Sequence, residues 1–354
     1  MAAPPSTSIG DRIIGPEHPP FIVAEMSGNH DGSLDKALAI VDAAAETGVD
    51  AVKLQTYTAD TMTIDHEGPG FRIDDPDSLW FGKTLYALYE EAHTPWDWHA
   101  PIMNRCRERG LLCFSTPFDE SAIRLLEDLE VPAYKIASFE NVDLELLGRV
   151  AQTRKPVILS TGMATLEELE QAVSTLRDNG CEDLILLKCT SAYPAPPEAA
   201  NLRAMNALEE QFETLVGLSD HTLGSTVAVA AVSMGGCFVE KHFTLDRAAG
   251  GVDSAFSLEP DEMAELVSAC RTAWASLGSP QLGPINAEQG SLVFRRSLYV
   301  LEDVEAGAPF TPENVRSIRP GFGLPPRDLP KVLGKRAARK IQRGTPLDWS
   351  LILD

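Results

Sequence analysis

Cys237-Phe-Val-Glu-Lys-His-Phe-Thr244 is the eighth of eight short apolar runs, and with it the count is complete. It has the length of a strand and no strict apolar–polar alternation, the pattern of a strand buried on both faces of a parallel sheet. The seven runs before it span residues 21–27, 51–56, 111–116, 133–138, 156–161, 184–189 and 215–219. Amphipathic helical stretches alternate with them, at residues 34–47, 96–109, 120–128, 144–151, 166–178, 202–212 and 225–234, and an eighth at 261–277 follows the last run. Asp119 is a candidate N-cap, Thr165 with Glu168 reads as a capping box, and Gly110 and Gly180 stand where left-handed C-caps belong. Eight strand–helix units in series predict an α/β chain folded as a (β/α)8 TIM barrel. A doubly wound open sheet is the alternative. The count of eight, and the lack of a Gly-rich dinucleotide turn after residues 21–27, favour the barrel.

The outer parts of the chain differ. Residues 1–10 are small, Pro-rich and polar, with no basic start and no apolar run, and predict a short disordered lead-in rather than a secretory signal. After residue 277 the strand–helix rhythm stops. A linker leads into a turn-rich stretch with strand candidates at 295–301 and 315–318, so a small β-rich module is expected. The expected organisation is a lead-in over 1–20, a barrel over 21–278, a linker over 279–294 and the module over 295–354. From Ser279 onward there are 11 Lys and Arg against 8 Asp and Glu, so the barrel carries the acidity of a chain whose net charge is −22. That charge argues against nucleic acid and anionic membranes as partners. No segment approaches the roughly 18–20 apolar residues of a membrane span. The six cysteines form no CxxC pair and mostly sit in apolar surroundings, which predicts reduced thiols in a cytoplasmic protein.

Function in a barrel sits at the C-terminal ends of the strands. Here those ends carry Glu25, then Lys53 and Gln55, Ser115 and Thr116, Lys135 and Ser138, Ser160 and Thr161, Lys188 with Ser191 and Tyr193, Ser219 with His221, and finally Glu240, Lys241 and His242. Buried Lys and Glu are rare without partners, so a lumen made only for packing would not hold them. Lys53 and Lys135 suit a phosphate or carboxylate held in a dry site, and the surrounding hydroxyls make a phosphate cradle as a set. Lys188 and Lys241 are weaker candidates, because alternation can turn them outward. His221 and His242 stand on adjacent strand ends, with Glu25 on the far side of the last strand once the barrel closes. Paired imidazoles suit Mn²⁺, Fe²⁺ or Zn²⁺ better than Mg²⁺. Asp253, in a Gly-rich loop after the last strand, is either a turn residue or a carboxylate facing sugar hydroxyls or the metal. The long segment at 57–95, with Phe71, Leu79, Trp80, Phe81, Leu85 and Tyr86, is expected to shape a substrate site.

These residues resemble the sialic acid synthase family over about residues 15–351. The resemblance rests on Ala24-Glu-Met-Ser-Gly-Asn-His30, Val52-Lys-Leu-Gln-Thr56, Phe114-Ser-Thr-Pro-Phe118, Tyr134-Lys-Ile-Ala-Ser138, Leu159-Ser-Thr-Gly-Met163, Gly217-Leu-Ser-Asp-His-Thr222 and Val239-Glu-Lys-His-Phe243. Arg316-Ser-Ile-Arg-Pro-Gly321 and Gly344-Thr-Pro-Leu347 resemble the antifreeze-like (SAF, β-clip) domain of that family. Within it, Gln55-Thr-Tyr-Thr-Ala-Asp-Thr-Met62, Leu85-Tyr-Ala-Leu-Tyr-Glu-Glu-Ala-His-Thr-Pro-Trp96 and Phe294-Arg-Arg-Ser-Leu-Tyr299 look like the pseudaminic acid branch.

The resemblance implies condensation of phosphoenolpyruvate with open-chain 2,4-diacetamido-2,4,6-trideoxy-L-altrose and water, giving pseudaminic acid and phosphate. It implies that Thr116, Lys135, Ser138, Ser160 and Ser219 hold phosphoenolpyruvate with Tyr193 beside them, and that Ser191 stands where the family often has Asn. His221 and His242 would bind a divalent ion, Mn²⁺ ahead of Mg²⁺ or Co²⁺. Glu25, Lys53, Gln55 and Asp253 would position the sugar, and Arg319 would reach in from a neighbouring subunit of a domain-swapped homodimer. The alternatives are a synthase of N-acetylneuraminate or legionaminate, a lysine Schiff-base aldolase, and a carbohydrate- or ice-binding module on a structural barrel.

Overall fold

Ile9 and Ile14 flank a Gly10-Asp11 turn, and in the structure, a computed structural model that describes residues 6–353, this stretch is a hairpin. Strands β1 (Thr7–Ile9) and β2 (Arg12–Ile14) pair antiparallel and bury both isoleucines completely. The disordered lead-in expected there is therefore corrected from residue 6 onward, and residues 1–5 lie outside the described residues. The physical reason is that two isoleucines on one face of a hairpin find an apolar surface to cover.

That surface is the N-terminal end of a closed barrel. Its strands are β3 (Phe21–Glu25), β4 (Ala51–Thr56), β5 (Leu112–Pro117), β6 (Tyr134–Ile136), β7 (Val157–Ser160), β8 (Leu184–Cys189), β9 (Leu215–Asp220) and β10 (Phe238–His242). All eight pair parallel in sequence order, and β10 closes on β3 with Phe238 opposite Phe21 and His242 opposite Glu25. The helices around them are α1 (Leu34–Thr47), α2 (Ala59–Met62), α3 (Leu85–Ala92), α4 (Trp96–Glu108), α5 (Glu120–Asp128), α6 (Leu144–Ala151), α7 (Leu166–Asp178), α8 (Arg203–Phe212), α9 (Thr226–Ser233) and α10 (Pro260–Ser276). Asp119 caps α5 and the Thr165–Glu168 capping box opens α7, as their spacing predicts. The segment at 57–95 is more structured than a loop, because it carries α2 and α3.

Strand residues alternate between two environments. Outward positions such as Ile22, Val52, Ile136 and Leu159 pack against the helices. Inward positions begin apolar and end polar. Val23 is followed by Glu25, Ala51 by Lys53, Phe114 by Thr116, Ala133 by Lys135, Ile158 by Ser160, and Phe238 by Glu240 and His242. The apolar lower layer packs on Ile9 and Ile14, so the hairpin seals one end and the polar groups gather at the other. Asp50 fixes the seal: it accepts from the Ile22 N–H at 2.9 Å and pairs with Arg12 at 3.3 Å and Arg271 at 3.5 Å.

The chain divides into two compact units between Gly278 and Ser279. In the second, β11 (Ser297–Val300) pairs antiparallel with β12 (Val315–Ile318); α11 (Leu329–Val332) follows, then β13 (Arg336–Ala337) paired with β14 (Ile352–Leu353). Leu298, Val300, Phe310, Val315 and Leu347 form its core. Among the described residues, no helix is long and apolar enough to cross a membrane, and all six cysteines are free and buried.

Candidate active site

Register decides which side chains share the polar end of the lumen. Glu25 stands between His242 and Lys53 across two strand pairings, and Ser219 stands beside Glu240. Lys53 and Lys135 are almost wholly buried, at 3% and 2% exposure, so their charges need partners in place of water. Glu240 lies between them. Its Oε1 is 3.4 Å from Lys135 Nζ and 3.8 Å from Lys53 Nζ, and it accepts a hydrogen bond from Ser219 Oγ at 3.2 Å. Lys53 also pairs with Glu25 at 2.5 Å and donates to Thr116 Oγ1 at 3.3 Å.

Burial alone would push Glu240 up, but Lys135 and Lys53 more than reverse it and hold its carboxylate below the usual range. Burial works against the Lys53 charge, and Glu240 and Glu25 outweigh it, so Lys53 stays ammonium. Lys135 is lowered, chiefly by burial, and Glu25 is raised by burial despite Lys53. Two carboxylates pushed in opposite directions within one lumen are the arrangement that separates a proton carrier from a fixed anion.

The hydroxyl set divides by alternation. Ser138 Oγ accepts from the Gly162 N–H at 3.1 Å, and Ser160 Oγ is buried without a hydrogen-bond partner. A Cβ on Gly162 would overlap the hydroxyls of Ser191 and Ser138, so the glycine keeps a small polar recess open between them. Thr116, Lys135, Ser138, Ser160, Ser191 and Ser219 come from successive strands and the loops that follow them, and of these Ser138 and Ser191 border the recess. Ser115 and Thr161 do not join them: Ser115 bonds Thr56 and Thr161 bonds the Leu187 carbonyl. Lys241 is likewise turned away, paired with Asp220 at 2.8 Å, and Lys188 bonds Thr190 at 3.1 Å.

His221 and His242 face each other with ring centroids 5.4 Å apart. Tyr193 packs on His221 at 4.5 Å and Phe256 on His242 at 4.8 Å, fixing both rings. His221 Nδ1 donates to the Thr190 carbonyl at 3.1 Å; burial works against its charge, but Cys189 beside it outweighs this and raises its pKa, and in the neutral form its Nε2 lone pair is free. His242 Nδ1 is buried with no hydrogen-bond partner, 4.0 Å from Asp253. Burial and the neighbouring His221 hold His242 neutral, the form that ligates a metal. An orphaned neutral imidazole beside a second, oriented one fits a divalent ion. Among the described residues no three His, Cys, Asp or Glu side chains form a ready-made cage, so other ligands would come from water or substrate.

A pocket of about 290 Å³ opens beside His242. Ser27, Gln55, Asp253 and Glu140 supply its polar side. Gln55 Nε2 donates to Glu25 at 3.0 Å and to Ser27 Oγ at 3.1 Å, and Ser27 Oγ donates to Asp253. The segment between β4 and α4 supplies the other side and is tied across the pocket by Trp80 Nε1, which donates to the Val252 carbonyl at 2.8 Å. Arg319 belongs to the second unit, where it is exposed.

Three groups escaped the sequence reading. Glu140, two residues past Ser138, has a buried Oε2 with no partner, and burial raises its carboxyl to about 7 despite Lys135. Glu240 was visible on its strand but not as the anion shared by both lysines. Phe256 carried no signal beyond being apolar in a loop.

The sequence model of the NeuB family matches residues 40–281, and that of the SAF domain residues 295–353. The chain is 44% identical over 330 residues to a pseudaminic acid synthase of Campylobacter jejuni (strain 81-176), covering 93% of this chain and 96% of that protein. It is 42% identical to a pseudaminic acid synthase of Helicobacter pylori, with 93% and 96% covered. Among solved structures, N-acetylneuraminic acid (sialic acid) synthetase from Leptospira borgpetersenii has a TM-score of 0.73 at 32% identity, covering 82% of this chain and 95% of its own.

Proposed function

This chain belongs to the NeuB family, and from that premise we propose that it condenses phosphoenolpyruvate with open-chain 2,4-diacetamido-2,4,6-trideoxy-L-altrose to give pseudaminic acid and phosphate. The observation that carries the reading is the pair of buried lysines sharing Glu240, in one lumen with two facing imidazoles, of which His242 lines a sugar-sized pocket. Its 42–44% identity to pseudaminic acid synthases supports that branch over an N-acetylneuraminate or legionaminate synthase.

Phosphoenolpyruvate lies in the recess at Gly162. Lys135, Lys53 and the hydroxyls of Thr116, Ser138, Ser160, Ser191 and Ser219 hold its phosphate and carboxylate, and Tyr193 flanks them. Fixed donors in a water-poor lumen stabilise the charge that develops there. Gln55 and Asp253 orient the sugar with its aldehyde toward His221 and His242. A divalent ion held by those two histidines, Mn²⁺ ahead of Mg²⁺ or Co²⁺, supplies Lewis-acid polarisation of the aldehyde when bound. C3 of phosphoenolpyruvate adds to the aldehyde carbon, water adds at C2, and phosphate leaves by C–O cleavage. Glu25 and Glu140, both raised by burial, are the groups able to carry protons for the sugar oxygen and the water. Lys53 is held charged by two carboxylates, the wrong state for a Schiff-base nucleophile.

Phosphate release from phosphoenolpyruvate tests this. Turnover with the trideoxy altrose and Mn²⁺, absent with N-acetylmannosamine and lost in EDTA, is the expected result. Turnover of N-acetylmannosamine alone would keep the family and sink the branch. Borohydride trapping together with indifference to EDTA would replace the mechanism by that of an aldolase.

The same reading includes a homodimer in a cytoplasmic setting, the latter supported by six free thiols. Phe139, Val142, Met163 and Leu223 on loops and Leu166 at the start of α7 are exposed at the polar end of the barrel, and Phe322 is 70% exposed beside Gly321 in the second unit. An apolar rim of this kind marks an interaction surface. Its occupant in this reading is the second unit of another copy, with Arg319 of the partner subunit reaching an acetamido group. Sedimentation should give a dimer, and Met163→Asp with Phe322→Asp should dissociate it. A monomeric wild type with full activity would overturn the swap.

A further inference from the structure

The pocket is two-sided, and its second side has a chemistry of its own. Strand ends and the loop at Asp253 provide the polar groups. The opposite wall comes from the segment between β4 and α4, through Met62 on α2, Ile73, and Leu85 and Leu88 on α3. All four are apolar; the same segment also brings the rings of Tyr57 and Tyr89 to the pocket. The one indole N–H that this segment brings to the pocket, Trp80 Nε1, is already committed to the Val252 carbonyl. The wall is also built rather than loose. Arg72 bridges Thr84, Ile73 N–H donates to the Lys83 carbonyl at 2.9 Å, and Leu85 N–H donates to the Phe71 carbonyl at 2.8 Å. Ile73 and Leu85 are therefore held at diagonal positions on one face of this pairing.

We propose that this apolar wall is the specificity element for the sugar terminus remote from the aldehyde, accepting a C6 methyl and disfavouring a C6 hydroxymethyl. The inference rests on the reading above, in which the aldehyde faces the histidines and the chain of the sugar runs away from them. A methyl group against Ile73 and Leu85 loses no hydrogen bond on binding. A hydroxyl at the same place leaves water and meets no acceptor or donor on Met62, Ile73, Leu85 or Leu88. Apolar sites reject an added hydroxyl by a modest factor, about 10- to 100-fold, because the rejected group can still turn or keep a water. The discrimination expected here is of that size, and not the far larger ratio produced by a site with dedicated hydrogen bonds.

The test uses unreactive probes, the alditols of 2,4-diacetamido-2,4,6-trideoxy-L-altrose and of its 6-hydroxy counterpart, with binding measured by calorimetry on the full chain. The wild type should prefer the deoxy alditol by about 10- to 100-fold. Ile73→Thr combined with Leu85→Asn should cut that preference at least about fivefold, since each puts polar atoms where the wild type has only carbon. Leu85→Met keeps the wall apolar and should keep the preference. Equal binding of the two alditols by the wild type, or an unchanged ratio in the polar double variant, overturns the proposal. Phosphate release measured in parallel separates the two levels. A deoxy preference that the polar variant loses, with no turnover of either aldehyde, upholds the wall and removes the synthase reading.

Discussion

Lys135→Met should lower kcat/KM for phosphoenolpyruvate by about 10³-fold while leaving the barrel folded. Methionine replaces the buried stem of the lysine, so packing is largely kept and the charge is what is lost. The loss falls on a balanced cluster. Glu240 now answers to Lys135 at 3.4 Å and Lys53 at 3.8 Å, and Lys53 is already shared with Glu25. Without Lys135, two carboxylates divide one ammonium, and an incoming phosphate and carboxylate meet net negative charge. Removing one fixed donor from a dry site costs about 10²–10³ in rate, and the uncompensated Glu240 adds to that. Steady-state phosphate release with a circular dichroism check on folding measures it. A folded variant within tenfold of the wild type would take Lys135 out of the phosphate cradle.

Glu140→Gln should move activity and stability in opposite directions. Burial raises the Glu140 carboxyl from 4.5 to about 7. Between those values the folded protein keeps a proton that the unfolded chain has released, so the wild type loses stability as pH rises through the window. Gln copies the protonated form and escapes that loss. Below about pH 4.5 the two proteins should melt alike. Above pH 7 the variant should be more stable, by up to about 3 kcal/mol. Activity should fall about 10²–10⁴-fold in kcat, the usual worth of a positioned acid or base, and the pH-rate limb near neutrality should flatten. Thermal melts at pH 5 and pH 8, with pH-rate profiles of both proteins, read both signs. A variant with wild-type kcat and a pH-independent difference in melting temperature would make Glu140 a bystander.

The sequence is most readable where periodicity and burial coincide. Eight apolar runs with helical stretches between them specify the barrel, because a parallel strand covered on both faces has little freedom in composition. The lysines, histidines and hydroxyls of the lumen stand out for a related reason: an ionisable group inside an apolar run has few structural uses. Glu140 is not readable in that way. It stands in a loop, where a carboxylate ordinarily faces water, and only its place on the pocket wall in the folded chain makes its burial visible. The link from Trp80 to the Val252 carbonyl joins parts of the chain that no local pattern connects. The hairpin at residues 7–14 did leave a trace, a Gly-Asp turn between isoleucines, but three-residue strands are too short for periodicity to separate from loop.

That hairpin and the seam above it set an order on how the molecule can be made. Ile9, Ile14 and Phe21 emerge first during synthesis, yet the cluster they complete also contains Leu215, Cys237 and Phe238. The edge of β3 likewise waits for β10, whose residues 238–242 are its partners. At translation rates of roughly 5–20 residues per second, the two ends of the sheet are apart for roughly 10–40 s. Throughout that interval the growing chain shows an unpaired parallel edge and an uncovered apolar floor, the surfaces through which nascent chains find one another. An element made before every barrel strand is among the last to be buried, so the barrel becomes safe from its neighbours on the ribosome only when its last strand arrives.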